Sequence, residues 1–218
     1  MKLAGVIFDL DGTLGDTLPV CFAAFRRALR KFSDRRYTDD EIAALFGPSE
    51  EGIIQQLVPD HWQACLDTYL AAYEEESARR ARLFPGIETA LRLLSERGVV
   101  LAIVTGKGAH SAAISLRHLN LAKHFDVVET GSPEGGVKPG SIRKILGKWG
   151  APPHEVAYVG DAPSDIEAAR EAGVIPLGAA WDATSSAESL NALCPLDTFR
   201  SVERFITWIE ENVESNPR

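Results

Sequence analysis

Asp9 and Asp11 stand two residues apart in the run Asp9-Leu10-Asp11-Gly12-Thr13, directly after the apolar stretch 3–8. A carboxylate at the end of a buried strand can attack phosphorus as a nucleophile. A second carboxyl group just beyond it can give a proton to the departing oxygen and later take one from water. Two such charges about 4 Å apart repel by roughly 4 kcal/mol at an effective dielectric of about 20. A divalent cation relieves that repulsion, and oxygen donors with room for water and phosphate favour Mg2+. The same pair also suits an Asx turn that closes a strand. An EF-hand does not fit, because the loop lacks the third acid, the glycine and the final glutamate.

Three more groups stand where other apolar runs end. Thr105-Gly106 follows 99–104, and a hydroxyl with backbone amides at that point can hold phosphate oxygens or simply cap a turn. Lys138 lies in Gly135-Gly136-Val137-Lys138-Pro139-Gly140, ahead of a helical stretch. A cation there opposes the helix dipole unless an anion sits between them; an exposed loop lysine is the plain alternative. Asp161 ends the run 156–159 and is placed to bind a metal. Asp165, four residues on, falls in the first helical turn, where it can orient Lys138 or a metal-bound water. Both acids also suit ordinary helix capping.

The elements that must position these groups alternate. Apolar, β-branched runs at 3–8, 99–104, 125–128, 156–159 and 174–177 read as strands buried on both faces. Amphipathic stretches at 88–97, 109–119, 141–149 and 163–172 read as helices between them, with a last one at 199–213. This order predicts an α/β fold, a doubly wound parallel sheet of Rossmann-like type. Residues 15–83 break the alternation with helical stretches at 18–31, 39–46, 50–57 and 61–80 and almost no strand signal. We expect an α/β core of 1–14 and 84–218 with an inserted all-helical cap of 15–83. In open parallel sheets ligands bind beyond the carboxyl ends of the strands, where all the groups above would converge.

The chain has 218 residues, 45% of them hydrophobic and 25% charged, with a net charge of −8 and a pI near 5.2. That balance argues against a nucleic-acid partner, which calls for a basic excess. Cys21, Cys65 and Cys194 are widely spaced, so neither a zinc site nor a disulfide framework is expected. The opening apolar run is too short, and Asp9 too early, for a signal peptide or a membrane span, which predicts a cytoplasmic protein without a membrane partner. Arg26, Arg27, Arg30, Lys31, Arg35 and Arg36 form a basic run that suits a solvated helix face or the steering of anions, with Glu74, Glu75 and Glu76 as partial balance. The four tryptophans read as packing, and the histidines at 61, 110, 118, 124 and 154 show no ligand spacing.

The motifs together resemble the haloacid dehalogenase-like hydrolase superfamily, in its phosphatase branch with a helical cap. Asp9-Leu10-Asp11-Gly12-Thr13-Leu14 resembles the family's first motif, Thr105 its second, Lys138-Pro139 its third, and Gly160-Asp161 through Asp165 its fourth. Phe84-Pro85-Gly86 resembles the turn by which such chains leave the cap, and Gly47-Pro48-Ser49-Glu50 the cap loop that faces the site. The resemblance implies Asp9 as nucleophile and Asp11 as general acid/base, with Thr105 and Lys138 on the phosphoryl group. It implies Mg2+ on Asp9, the Asp11 backbone carbonyl and Asp161, with Asp165 in support. Gly12, Thr13, Gly106 and Gly47 are the further substrate-binding candidates. Ser141 stands where the third motif usually has a second proline. The dehalogenase and carbon–phosphorus-cleaving branches lack the acid at the place of Asp11. The expected substrate is a small phosphorylated metabolite, of the kind phosphoglycolate phosphatase-like proteins take, and the expected state a monomer or homodimer. A sugar phosphomutase and a non-catalytic binding module are the competing readings.

Overall fold

The computed structural model describes residues 1–215. The chain runs in order through β1 (Gly5–Phe8), β2 (Gly15–Asp16), α1 (Leu18–Phe32), α2 (Asp39–Ala43), α3 (Glu50–Leu57), α4 (Trp62–Arg80), β3 (Arg82–Leu83), α5 (Ile87–Glu96) and β4 (Val100–Val104). It continues through α6 (Ala109–His118), β5 (Val127–Glu129), α7 (Lys138–Trp149), β6 (Val156–Gly160), α8 (Pro163–Ala172), β7 (Ile175–Ala179), α9 (Ala187–Ala192), β8 (Asp197–Phe199) and α10 (Val202–Asn212).

Six strands form one parallel sheet in the order β5-β4-β1-β6-β7-β8. Successive side chains of a strand point to opposite faces, and β1 shows it. Val6 and Phe8 enter one apolar layer with Ile87, Leu91 and Leu94 of α5 and Phe205 and Ile209 of α10. Ile7 enters the other, with Ile142 and Ile145 of α7 and Ala168 and Ala169 of α8. Helices therefore cover both faces, and the continuous apolarity of β1, β4 and β6 is the mark of burial on both sides. From β1 the strand order steps one way to β4 and β5, then back across to β6. The switch point lies between β1 and β6, at the carboxyl ends that carry Asp9 and Asp161.

The inserted unit has its own core. Val20, Ala24, Phe25 and Ala28 of α1 pack with Ile53 and Ile54 of α3 and with Tyr69, Ala72 and Tyr73 of α4. Its ends are not purely helical. β2 and β3 pair antiparallel, Gly15 with Leu83 and Asp16 with Arg82, so a two-stranded ribbon ties exit to entry. Two residues per strand give no hydrophobic period, which is why the sequence shows no strand there. α2 stops at Ala43, short of the expected 46, and α7 starts at Lys138, earlier than the expected 141. Two further elements, α9 and β8, complete the core: Asp197-Thr198-Phe199 is a three-residue edge strand with only Phe199 buried.

Of the basic run, Arg26 pairs with Asp39, Arg27 with Glu75 (2.5 Å) and Arg35 with Glu41 (2.5 Å), all partly exposed. Exposed pairs of this kind contribute little to stability. Among the described residues no helix is long and apolar enough to cross a membrane.

Candidate active site

β1 ends at Phe8, and the next backbone amide, that of Asp9, still bonds the Val159 carbonyl at 2.9 Å. Asp9 is thereby fixed at the carboxyl edge of the sheet. The chain then folds back tightly, with the Leu14 and Gly15 amides on the Leu10 carbonyl (both 3.0 Å). Gly12 takes φ +74°, and a Cβ there would overlap the Asp161 carboxylate. Only glycine meets both demands. Asp161 follows β6, Thr105 follows β4, and Lys138 is the first residue of α7 rather than a loop residue.

Lys138 Nζ lies 3.2 Å from Asp9 Oδ2 and 2.6 Å from Asp165 Oδ1. These two acids resolve the conflict between a cation and a helix N-terminus. Burial pulls the ammonium pKa down, but Asp165 and Asp9 outweigh it and hold Lys138 well above the usual lysine range. Asp165 is fully buried, and its oxygens are engaged: Oδ1 also accepts from the Tyr158 hydroxyl (3.1 Å), and Oδ2 from the Ala162 amide (3.1 Å). The Tyr158 hydroxyl reaches the Val104 carbonyl as well, at 2.9 Å. Asp165 thus orients Lys138 and the turn after β6.

One oxygen of each acid in the trio Asp9, Asp161 and Asp165 lies within 4.8 Å of the other two. Asp9 Oδ1 is buried and has no hydrogen-bond partner among the described residues. Burial pushes the Asp9 carboxyl up to about 7 against the pull of Lys138, and the charges of Asp165 and Asp11 add to the push. Burial, then Asp165 and Asp9, hold Asp161 far above the usual carboxylate range. Thr13 Oγ1 donates to Asp161 Oδ1 at 3.0 Å and Ser185 Oγ to Oδ2 at 3.4 Å. Crowded, dehydrated carboxylates with one bare oxygen suit a hard divalent cation that takes oxygen donors. Asp9 and Asp161 could hold it.

The remaining candidates are distributed around this centre. Thr105 is buried, and its hydroxyl accepts from the Lys107 amide at 3.3 Å. The space where a Gly106 Cβ would point holds only Lys138 Cε, at 4.0 Å, so the Thr105-Gly106 turn faces the lysine across an open gap. Gly106 and Gly131 meet backbone to backbone, too closely for any side chain on Gly131. Gly47 is exposed and backs onto Gly135 of the core, while the neighbouring Ser49 amide bonds the Ser132 carbonyl at 2.8 Å. Trp181 does more than pack: its Nε1 donates to the Thr13 carbonyl at 2.9 Å and holds the first turn.

Asp11 is not one of the three clustered acids. Its Oδ1 accepts from the Thr17 hydroxyl, and its Oδ2 lies 3.2 Å from Lys107 Nζ. Lys107 was not singled out from the sequence, nor was Glu50 within the loop 47–50. The signal for Lys107 was a lysine inside a strand-to-helix turn, Thr105-Gly106-Lys107-Gly108. Glu50, the first residue of α3 in the inserted unit, reaches that turn and pairs with Lys107 at 3.2 Å.

The sequence pattern of the family described as haloacid dehalogenase-like hydrolase matches residues 6–179. Pyrophosphatase PpaX of Bacillus pumilus is 30% identical over 178 residues, which cover 81% of this chain and 82% of that protein. Phosphoglycolate phosphatase of Synechococcus elongatus is 29% identical over 194 residues, 88% and 91% of the two chains. A crystal structure titled as a predicted phosphoglycolate phosphatase from Haemophilus somnus superposes with a TM-score of 0.82 at 22% identity, over 95% of this chain and 98% of that one. That likeness speaks for the fold alone. With the matched family sequence and the Asp9–Asp11 pair at the switch point, the chain belongs to the haloacid dehalogenase-like hydrolases, in their phosphatase branch.

Proposed function

We propose that this protein is a Mg2+-dependent phosphatase that hydrolyses a small phosphate monoester through a phosphoryl group carried on Asp9. The observation that carries the reading is Asp9 itself. It is a buried carboxylate with one oxygen held by Lys138 and the other bare, next to Asp161 at the switch point of the sheet. Residues 15–83 act as the cap, and 1–14 with 84–218 as the catalytic core.

In the first half-reaction an Asp9 oxygen attacks phosphorus, and the bond from phosphorus to the ester oxygen breaks. The proton that the departing alkoxide needs comes from Asp11. In the second half a water attacks phosphorus, Asp11 takes its proton, and the phosphorus–Asp9 bond breaks. Inorganic phosphate and an alcohol are the products, and Asp9 and Asp11 are regenerated. Lys138 and the Thr105-Gly106 turn hold the non-bridging oxygens, where fixed positive charge favours the transition state. A Mg2+ ion on Asp9, Asp161 and the Asp11 carbonyl would neutralise the phosphate and the attacking carboxylate as they approach. Asp165 keeps Lys138 aimed at the site, and Gly12 lets the first turn lie against Asp161. Gly47 belongs to the cap loop that borders the cleft.

The named relatives set the panel that tests this reading. Phosphate release is measured from small phosphorylated acids, sugar phosphates, nucleotides and inorganic pyrophosphate, each with and without Mg2+. Mg2+-dependent release from a monoester supports the proposal, and the preferred ester names the substrate class. Release from pyrophosphate alone would shift the reading to a pyrophosphatase. Transfer between sugar positions without free phosphate would shift it to a mutase.

A further inference from the structure

We propose that Glu50 and Lys107 are a positioning pair that makes docking of the helical unit a condition for placing Asp11. The inference rests on the reading of Asp11 as the proton donor and acceptor.

Lys107 is 5% exposed, and its N–H groups meet close partners. They face Asp11 Oδ2, Glu50 Oε1 and Cys21 Sγ, each at 3.2 Å, and the ammonium lies 4.4 Å from the centre of the Tyr73 ring. Enclosed among these groups, Lys107 acts through its neighbours. Burial pulls the ammonium down, yet Asp11 first, with Cys21, Tyr73 and Glu50, carries it well above the usual lysine range. The ammonium therefore stays charged. Cys21 is pushed up to about 12, by burial and then by the Asp11 charge, so its thiol is a spacer rather than a nucleophile.

Glu50 comes from the other unit and is 6% exposed. Its Oε2 accepts from the Gly108 amide at 2.6 Å, and its Oε1 from Ser111 Oγ at 2.7 Å and the Tyr69 hydroxyl at 3.3 Å. Gly108 is the N-cap of α6 and has no side chain with which to cap it. The core thus leaves the start of α6 without a local cap, and the helical unit supplies a carboxylate there. That carboxylate fixes the turn carrying Lys107 and balances its charge. Lys107 in turn holds one oxygen of Asp11, while Thr17, just past the β2 hinge, holds the other. With Glu50 withdrawn, Lys107 has lost the partner that aims it, and Asp11 is held at one end only.

The test compares two leaving groups. An alkyl phosphate needs a proton on its departing oxygen, whereas p-nitrophenyl phosphate leaves as a stable phenolate and needs little help. kcat/KM reports the first half-reaction for each. Glu50→Gln and Lys107→Met are measured against wild type, with melting curves to establish folding. Maleimide labelling of Cys21, read by mass spectrometry, reports docking. The expected result is a loss of about a hundredfold on the alkyl ester, the size of a general acid contribution. The loss on p-nitrophenyl phosphate is at least tenfold smaller (~10), and Cys21 labels faster in Glu50→Gln. Equal losses on both esters in folded variants would overturn the positioning role while leaving the proposed reaction intact. So would unchanged kinetics in Glu50→Gln, the milder variant. A wild type that releases phosphate from no ester overturns the reaction and this role together.

Discussion

Lys138 Nζ sits 3.2 Å from Asp9 Oδ2, while Asp9 Oδ1, buried, accepts no hydrogen bond among the described residues. Half of the carboxylate is satisfied by the protein, and half is left for something the protein does not supply. Burial, the leading cause, keeps Asp9 protonated up to about pH 7, whereas in an unfolded chain it ionises near the ordinary value of 3.8. The folded state therefore holds the extra proton between these two values. Stability of the metal-free protein falls as pH rises from about 4 through about 7. A cation that replaces the proton offsets this loss. We expect Mg2+ to raise the melting temperature more at pH 8 than at pH 5, and Asp9→Asn to flatten the difference. Melting curves at both pH values, with Mg2+ and with a chelator, check it.

Lys138→Met leaves Asp9 and Asp165 without their cation. Removing one partner of a buried pair costs about 3–5 kcal/mol. The cost is smaller at pH 5, where Asp9 already carries a proton and only Asp165 loses its cation. Activity falls by about 10²-fold or more, through loss of a charge on the transferring group. Chemical denaturation at the two pH values and steady-state kinetics measure both effects.

Gly12→Ala places a methyl group against the Asp161 carboxylate, at φ +74°. The strained backbone alone costs about 1–3 kcal/mol. The displaced Asp161 is the second and larger consequence for function. The expected outcome is a modest drop in melting temperature together with a weakened response to Mg2+, read in a metal titration of the melting curve.

Gly52 lies inside α3, and a Cβ there would overlap the Pro133 carbonyl of the core. Alanine is the better helix former by about 1 kcal/mol, so the helical unit itself gains. Only its seat on the core loses. Gly52→Ala should lower kcat/KM by about tenfold, the equivalent of ~1.4 kcal/mol, without lowering the melting temperature. A fall in melting temperature with unchanged kinetics would contradict this account of the seat.

The sheet and its edge were legible because the buried strands that carry the site end abruptly on a chemical group. Phe8 gives way to Asp9, Val104 to Thr105, and Gly160 to Asp161, and that break survives without any knowledge of partners. Lys107 was not legible because its meaning depends on Glu50, 57 positions away in the chain and in the other unit. Locally it reads as one more lysine in a strand-to-helix turn. Trp181 looked like packing for the same reason: its hydrogen bond reaches Thr13, 168 positions away. β2 and β3 were hidden by their length, since two residues set no period, and β8 by its polar Asp197-Thr198 start.

The most direct test of the central claim is phosphate release by wild type and Asp9→Asn on the best monoester in Mg2+, with mass spectrometry of acid-quenched protein. The change from carboxylate to amide is nearly isosteric and removes the attacking anion. The account predicts a folded Asp9→Asn protein with no turnover, and a phosphoryl group found on Asp9 of the wild type alone. A folded Asp9→Asn protein that turns over at the wild-type rate would contradict it.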